Sequence, residues 1–149
     1  MTLSIRPATV ADASALCAWN AAMARETEHL ELDAAVLARG VRAVFEQPQR
    51  GFYLVAERDG EAVGSLLVTF EWSDWRNGDY WWIQSVYVVP GARRDGVFRA
   101  LYAEVERRAR AAKAASLRLY VETENSHAQA TYERLGMRRC HYAMYEQVL

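Results

Sequence analysis

Val97, Leu101 and Val105 recur every four residues through a stretch otherwise rich in charge, a period that keeps one apolar stripe on a single helix face. The spacing predicts a long amphipathic helix running to about Arg110. Upstream, short apolar runs bounded by turn residues predict strands over Leu3–Arg6, Phe52–Glu57, Ala62–Trp72 and Tyr80–Val89. Asp59-Gly60 and Asn77-Gly78 fall between consecutive strands, and both dipeptides suit the left-handed backbone of a hairpin turn. Two earlier helices are predicted from about Asp12 to Glu26 and from about Asp33 to Phe45, connected by Thr27 to Leu32. A short strand from Leu117 to Glu122 follows the long helix. A further helix can be capped by Asn125 or Ser126 and ended by Gly136, and a closing strand is expected from Arg138 to Gln147. One mixed α/β domain over residues 1–149 is therefore expected, a twisted mixed sheet with helices on both faces and no linker or repeat.

Composition narrows the function classes. With 149 residues, 52% of them hydrophobic, the chain can bury a real core, and its net charge of -1 is too balanced for a nucleic-acid binder. Cys17 and Cys140 lie far apart, which predicts buried free thiols rather than a disulfide, and no Cys or His spacing suggests a metal site. The chain runs directly into Leu3-Ser4-Ile5-Arg6 with no charged segment followed by an apolar one, so a cytoplasmic protein with no membrane partner is expected.

The candidate chemistry begins where the strand ends at Pro90. The turn Gly91-Ala92-Arg93-Arg94-Asp95-Gly96 opens the amphipathic helix, whose first N–H groups have no partner within the helix and whose dipole favours an anion. Gly96 has no Cβ to keep a diphosphate from the backbone, and Arg93, Arg94 and Arg99 add positive charge. Neither the Gly-Lys-Ser/Thr of a nucleotide-binding loop nor a three-glycine dinucleotide fingerprint is present.

Arg93 followed after two residues by Gly96 resembles the acyl-CoA-binding signature of the GNAT acetyltransferase superfamily, with Phe98 standing where that family usually has Gly or Ala. A second stretch resembles the other GNAT signature: Asn125, Ala128, Tyr132, then Leu135-Gly136 before Met137. The resemblance implies transfer of an acetyl group from acetyl-CoA to an amine by direct attack in a ternary complex. It implies that backbone groups of Val86, Tyr87 and Val88 pair with the pantetheine arm and supply an N–H to the thioester oxygen. The turn and helix start, Arg93, Arg94, Asp95, Gly96, Val97, Phe98 and Arg99, would bind the diphosphate. Asn125 would bond the pantetheine arm or cap its helix. Tyr132 would protonate the departing thiolate, a role that suits a phenol protonated at neutral pH.

Trp82 and Gln84 stand where the resemblance implies the Glu or His that many family members use as a base, and neither is a base. Glu71 and Glu28 are the remaining carboxylates for taking the ammonium proton; otherwise the enzyme would select the neutral fraction of its amine. Phe70, Trp72, Trp75, Tyr80, Trp81 and Trp82 crowd one hairpin together with Glu71, Asp74 and Asp79, a mixture that suits an amine and points to a small-molecule acceptor, or to a homodimer contact. A peptide acceptor, a non-catalytic acyl-CoA sensor and a nucleotide-binding turn are the competing readings.

Overall fold

In the computed structural model, residues 2–149 are described and divide into two compact units, residues 2–119 and 120–149. The first unit holds β1 (Leu3–Pro7), α1 (Ala13–Glu28), α2 (Ala34–Glu46), β2 (Gly51–Arg58), β3 (Glu61–Ser73), β4 (Gly78–Val88), α3 (Val97–Ala111) and β5 (Ser116–Arg118). The strands form one sheet in the order β1-β2-β3-β4-β5, antiparallel throughout except for the parallel β4–β5 pair. The sheet is mixed, as the sequence predicts.

Local chemistry explains the hairpins. Asp59 and Gly60 sit at φ 53° and 85°, the left-handed pair that a two-residue loop between right-twisted strands requires. The second loop is longer than expected. Gly78 enters β4 opposite Ser73, so Asp74–Asn77 forms a four-residue loop with Asn77 in the left-handed region at φ 45°. Asparagine tolerates that conformation, which is why the signal was right and its position one residue off.

Alternation along the strands sorts the core into two layers. Tyr53 and Leu67 face α1 and α2, where they meet Leu16, Val41, Trp19 and Phe45. Gly64, Leu66 and Val68 face the opposite way, toward the buried stripe Val97, Leu101, Val105 and Ala109 of α3. A Cβ on Gly64 would stand 2.9 Å from the Tyr87 carbonyl oxygen and 3.1 Å from a Val97 methyl, so glycine there lets the start of α3 settle against the end of β4. Phe52, Phe70 and Trp81 extend this layer as an aromatic cluster, with ring centroids 5.4 to 6.2 Å apart.

The second unit is built around α4 (Ser126–Arg134). Its end is fixed by Gly136 at φ 99°, with Gly136 N–H bonded to the Glu133 carbonyl and Met137 N–H to the Tyr132 carbonyl, the paired closure that a left-handed glycine permits. Two expectations fail nearby. The strand expected from Leu117 to Glu122 stops at Arg118, and no strand forms from Arg138 to Gln147. A strand needs partner N–H and C=O groups as well as suitable residues, and among the described residues that segment has none. Cys140 is correspondingly exposed rather than buried, whereas Cys17 is half-buried against the Leu16 cluster; both thiols are free.

Candidate active site

β4 is paired unequally along its length. Tyr80, Trp81 and Trp82 match Ser116, Leu117 and Arg118 of β5, but Ile83–Val88 continues with no partner on that side among the described strands. The ladder with β3 also breaks there. Ser65 faces Tyr87 and Leu67 faces Gln84, so Ser85 and Val86 together oppose Leu66 in a β-bulge. Ser85 takes φ 51°, an uncommon conformation for a non-glycine residue within a strand. Bulges and such backbone outliers gather where a strand must re-aim its groups toward a ligand.

The turn after β4 is braced from several sides. Arg58 of β2 bonds the Asp95 carboxylate at 2.6 Å and reaches the Gly91 carbonyl at 3.4 Å. Arg93 folds back: its Nε donates to the Val88 carbonyl at 2.8 Å, its Nη2 pairs with Glu26 of α1 at 2.9 Å, and its guanidinium lies 5.4 Å from the Tyr87 ring centroid. Tyr87 is buried, stacked with Trp19 at 6.2 Å, and its hydroxyl donates to Glu26 at 3.4 Å. Arg94 and Gly96 both sit in the left-handed region, at φ 69° and 80°.

Gly96 is the N-cap of α3, and the helix start has no side-chain cap. No atom lies within 4 Å of the position its Cβ would take. This start fits an anionic group: backbone donors uncapped by side chains, open space at the glycine, and exposed Arg94 and Arg99 close by in sequence. Val97 is buried, so only its backbone faces the site, and Phe98 packs against Tyr102 with centroids 6.2 Å apart.

The sheet face away from α3 carries the other predicted side chains. Trp82 Nε1 donates to Glu71 Oε1 at 2.8 Å, and the Gln84 amide donates to the Thr69 hydroxyl. Arg118, which sequence reasoning passed over, reaches the same Glu71 oxygen at 3.4 Å. Glu28 ends α1 and is exposed, so Glu71 and Glu28 stand on different elements. Glu26 was also missed. Nothing local marks it, because its role comes from the packing of α1 beside the end of β4.

Asn125 and Tyr132 belong to the second unit. The Asn125 side chain accepts from Ala128 N–H at 3.0 Å, which makes it the cap of α4. Gln129 ties the preceding loop down by donating to the Glu122 and Thr123 carbonyls, both at 3.0 Å. Tyr132 is half-buried in α4, and burial pushes its phenol above the ordinary value, which favours the protonated form.

Residues 14–137 match the acetyltransferase (GNAT) family. A possible acetyltransferase from Clostridium difficile 630 superposes with a TM-score of 0.92 at 41% identity, covering 100% of this chain and 99% of the other. A predicted acetyltransferase with acetyl-CoA from Clostridium acetobutylicum shares the fold at TM-score 0.80 and 15% identity, over 98% and 96% of the two chains. Glucosamine-6-phosphate N-acetyltransferase from Arabidopsis thaliana does so at 0.75 and 17%, over 99% of each. No curated protein matches the sequence.

Proposed function

Because the chain belongs to the GNAT acetyltransferase family, we propose that it moves an acetyl group from acetyl-CoA to the primary amine of a small molecule, by direct attack in a ternary complex. The observation that carries this reading is the pairing of a bulged, half-laddered β4 with an uncapped α3 start at Gly96. The first offers backbone groups of Val86, Tyr87 and Val88 to an extended arm. The second offers backbone N–H groups at Gly96, Val97, Phe98 and Arg99 to phosphate oxygens, with Arg94 supplying charge.

Acetyl-CoA supplies the activated acyl group; the chain's residues bind, orient and move protons. A fixed N–H from the bulged segment is proposed to stabilise charge on the thioester oxygen, because a donor already oriented needs no reorganisation as that charge develops. Tyr132 is proposed as the proton donor to the leaving sulfur, and its upward-shifted phenol keeps that proton available. Glu71 and Glu28 are the carboxylates proposed to accept the ammonium proton on the acceptor side. Asn125 caps the helix that carries Tyr132.

Acetyl-CoA turnover with a broad panel of primary amines tests the proposal. Stoichiometric release of free CoA and N-acetyl product from one or more amines is the expected result. Tight acetyl-CoA binding with no product from any amine would identify a sensor instead.

A further inference from the structure

On the sheet face shared by Glu71, Tyr80, Trp82 and Gln84, one charged group has no part in holding the donor: the guanidinium of Arg118. It lies over the Tyr80 ring, 3.6 Å from the centroid, and its side chain is 33% exposed. A guanidinium stacked on a ring keeps its donors in one plane, a fork that matches a carboxylate or phosphate through two bonds at once. Its contact with Glu71 uses far less than that. A single nitrogen meets a single oxygen at 3.4 Å, and that oxygen already accepts from Trp82 at 2.8 Å.

The surroundings add to the positive character. Hydrogen bonds from Arg76 and Ser73 hold the Tyr80 phenol below its ordinary value, so a second guanidinium stands at the other end of the same ring. Asp79 alternates to the opposite face, opposite Trp72, so the carboxylate paired with Tyr80 across β3 and β4 is Glu71, against two arginines. Arg118 is also fixed in register. It pairs with Trp82, two residues before Gln84, or about 7 Å along the strand from that residue.

We propose that Arg118 binds an anionic group on the acceptor, so that the preferred acceptor is an extended primary amine carrying a carboxylate or phosphate at its far end. This rests on the acetyl-transfer reading. The amine reaches the bulged part of β4 while the anion takes up the donors that Glu71 leaves unused. A compact amine with no distal charge meets only half of the site.

Three amines of similar length separate the outcomes: 6-aminohexanoate, 5-aminopentyl phosphate and 6-amino-1-hexanol, each assayed with acetyl-CoA on the wild type, Arg118→Gln and Arg118→Lys. A charge-assisted bond predicts kcat/KM about tenfold or more higher for at least one anionic amine than for the alcohol, expressed in KM. Whichever anion gains more identifies carboxylate or phosphate as the group read. Arg118→Gln should bring the amines level by raising the KM of the anionic amines, with the KM for acetyl-CoA unchanged, and Arg118→Lys should retain part of the preference. Equal wild-type values, a preference that survives Arg118→Gln, or acetylation confined to uncharged amines overturns the role of Arg118. Failure to acetylate any amine, in this set or a wider one, rejects the acetyl-transfer reading itself.

Discussion

Helices α3 and α4 begin in opposite ways. At α4 the Asn125 side chain accepts from Ala128 N–H, and the helix satisfies its own start, as α2 does through Asp33 and the N–H groups of Ala35 and Val36. At α3 the corresponding residue is Gly96, which has no side chain to offer and whose φ of 80° suits glycine. Every helix has orphan donors at its N-terminus, so their presence alone says nothing about function. The protein caps α2 and α4 with side chains and leaves α1 and α3 without one; of these two, α3 is the helix that starts at a left-handed glycine, after a strand whose second edge is unpaired beyond Trp82 among the described strands. On the proposed function, α3 acts through backbone at its first turn and α4 through a side chain at its middle.

The largest expected effect would break the α4 half of that contrast. Tyr132→Phe keeps the ring and removes the proton, so kcat should fall by about a hundredfold to ten-thousandfold while acetyl-CoA affinity stays near wild type. Its pH dependence carries a sign: with the phenol pushed upward by burial, the protonated form persists through neutral pH. The alkaline decline of kcat should therefore come only above the ordinary tyrosine value near 10, as pH rises through the raised one. Wild-type turnover in Tyr132→Phe, or a decline well below that pH, would dismiss the phenol as the acid.

A smaller effect tests α3. Acetyl-CoA at a hundredfold excess over Kd should stabilise the wild type by about 2.7 kcal/mol, and Gly96→Asp should remove most of that gain by placing a carboxylate at the open start. Equal ligand-induced shifts in melting temperature for both proteins would move the diphosphate site elsewhere. The smallest effect sharpens the contrast: Asn125→Ala should cost about 1 kcal/mol of stability through the lost cap, with Kd for acetyl-CoA unchanged. If Kd weakens tenfold at constant stability, Asn125 bonds the donor and the two helix starts are less different than their geometry.

How much of this was legible beforehand follows the range of the physics. The hairpin at Asp59-Gly60, the apolar stripe of α3 and the glycine closure after α4 were readable, because each depends on residues within one turn of one another. The bulge at Ser85 was not, since it arises only from the register of β3 against β4. Glu26 and Arg118 escaped for the same reason: their partners lie 67 and 47 residues away. The closing strand expected after Arg138 shows the converse, because residues suited to a strand form one only where partner backbone groups pair with them, and none pairs here among the described residues. Cys140, expected to be buried, lies in that unpaired segment and is exposed.

The open side of β4 has a consequence for how the molecule behaves in a crowded solution. An unladdered strand edge is a template on which any extended chain can dock, and proteins that keep such edges must blunt them. Here the bulge at Ser85 and Val86 breaks the regular spacing a visiting strand would need, and Arg93 occupies the last carbonyl of the edge, at Val88. On the proposed function, the distortion that would admit a ligand arm also discourages strand-to-strand docking, so straightening β4 would endanger solubility along with activity.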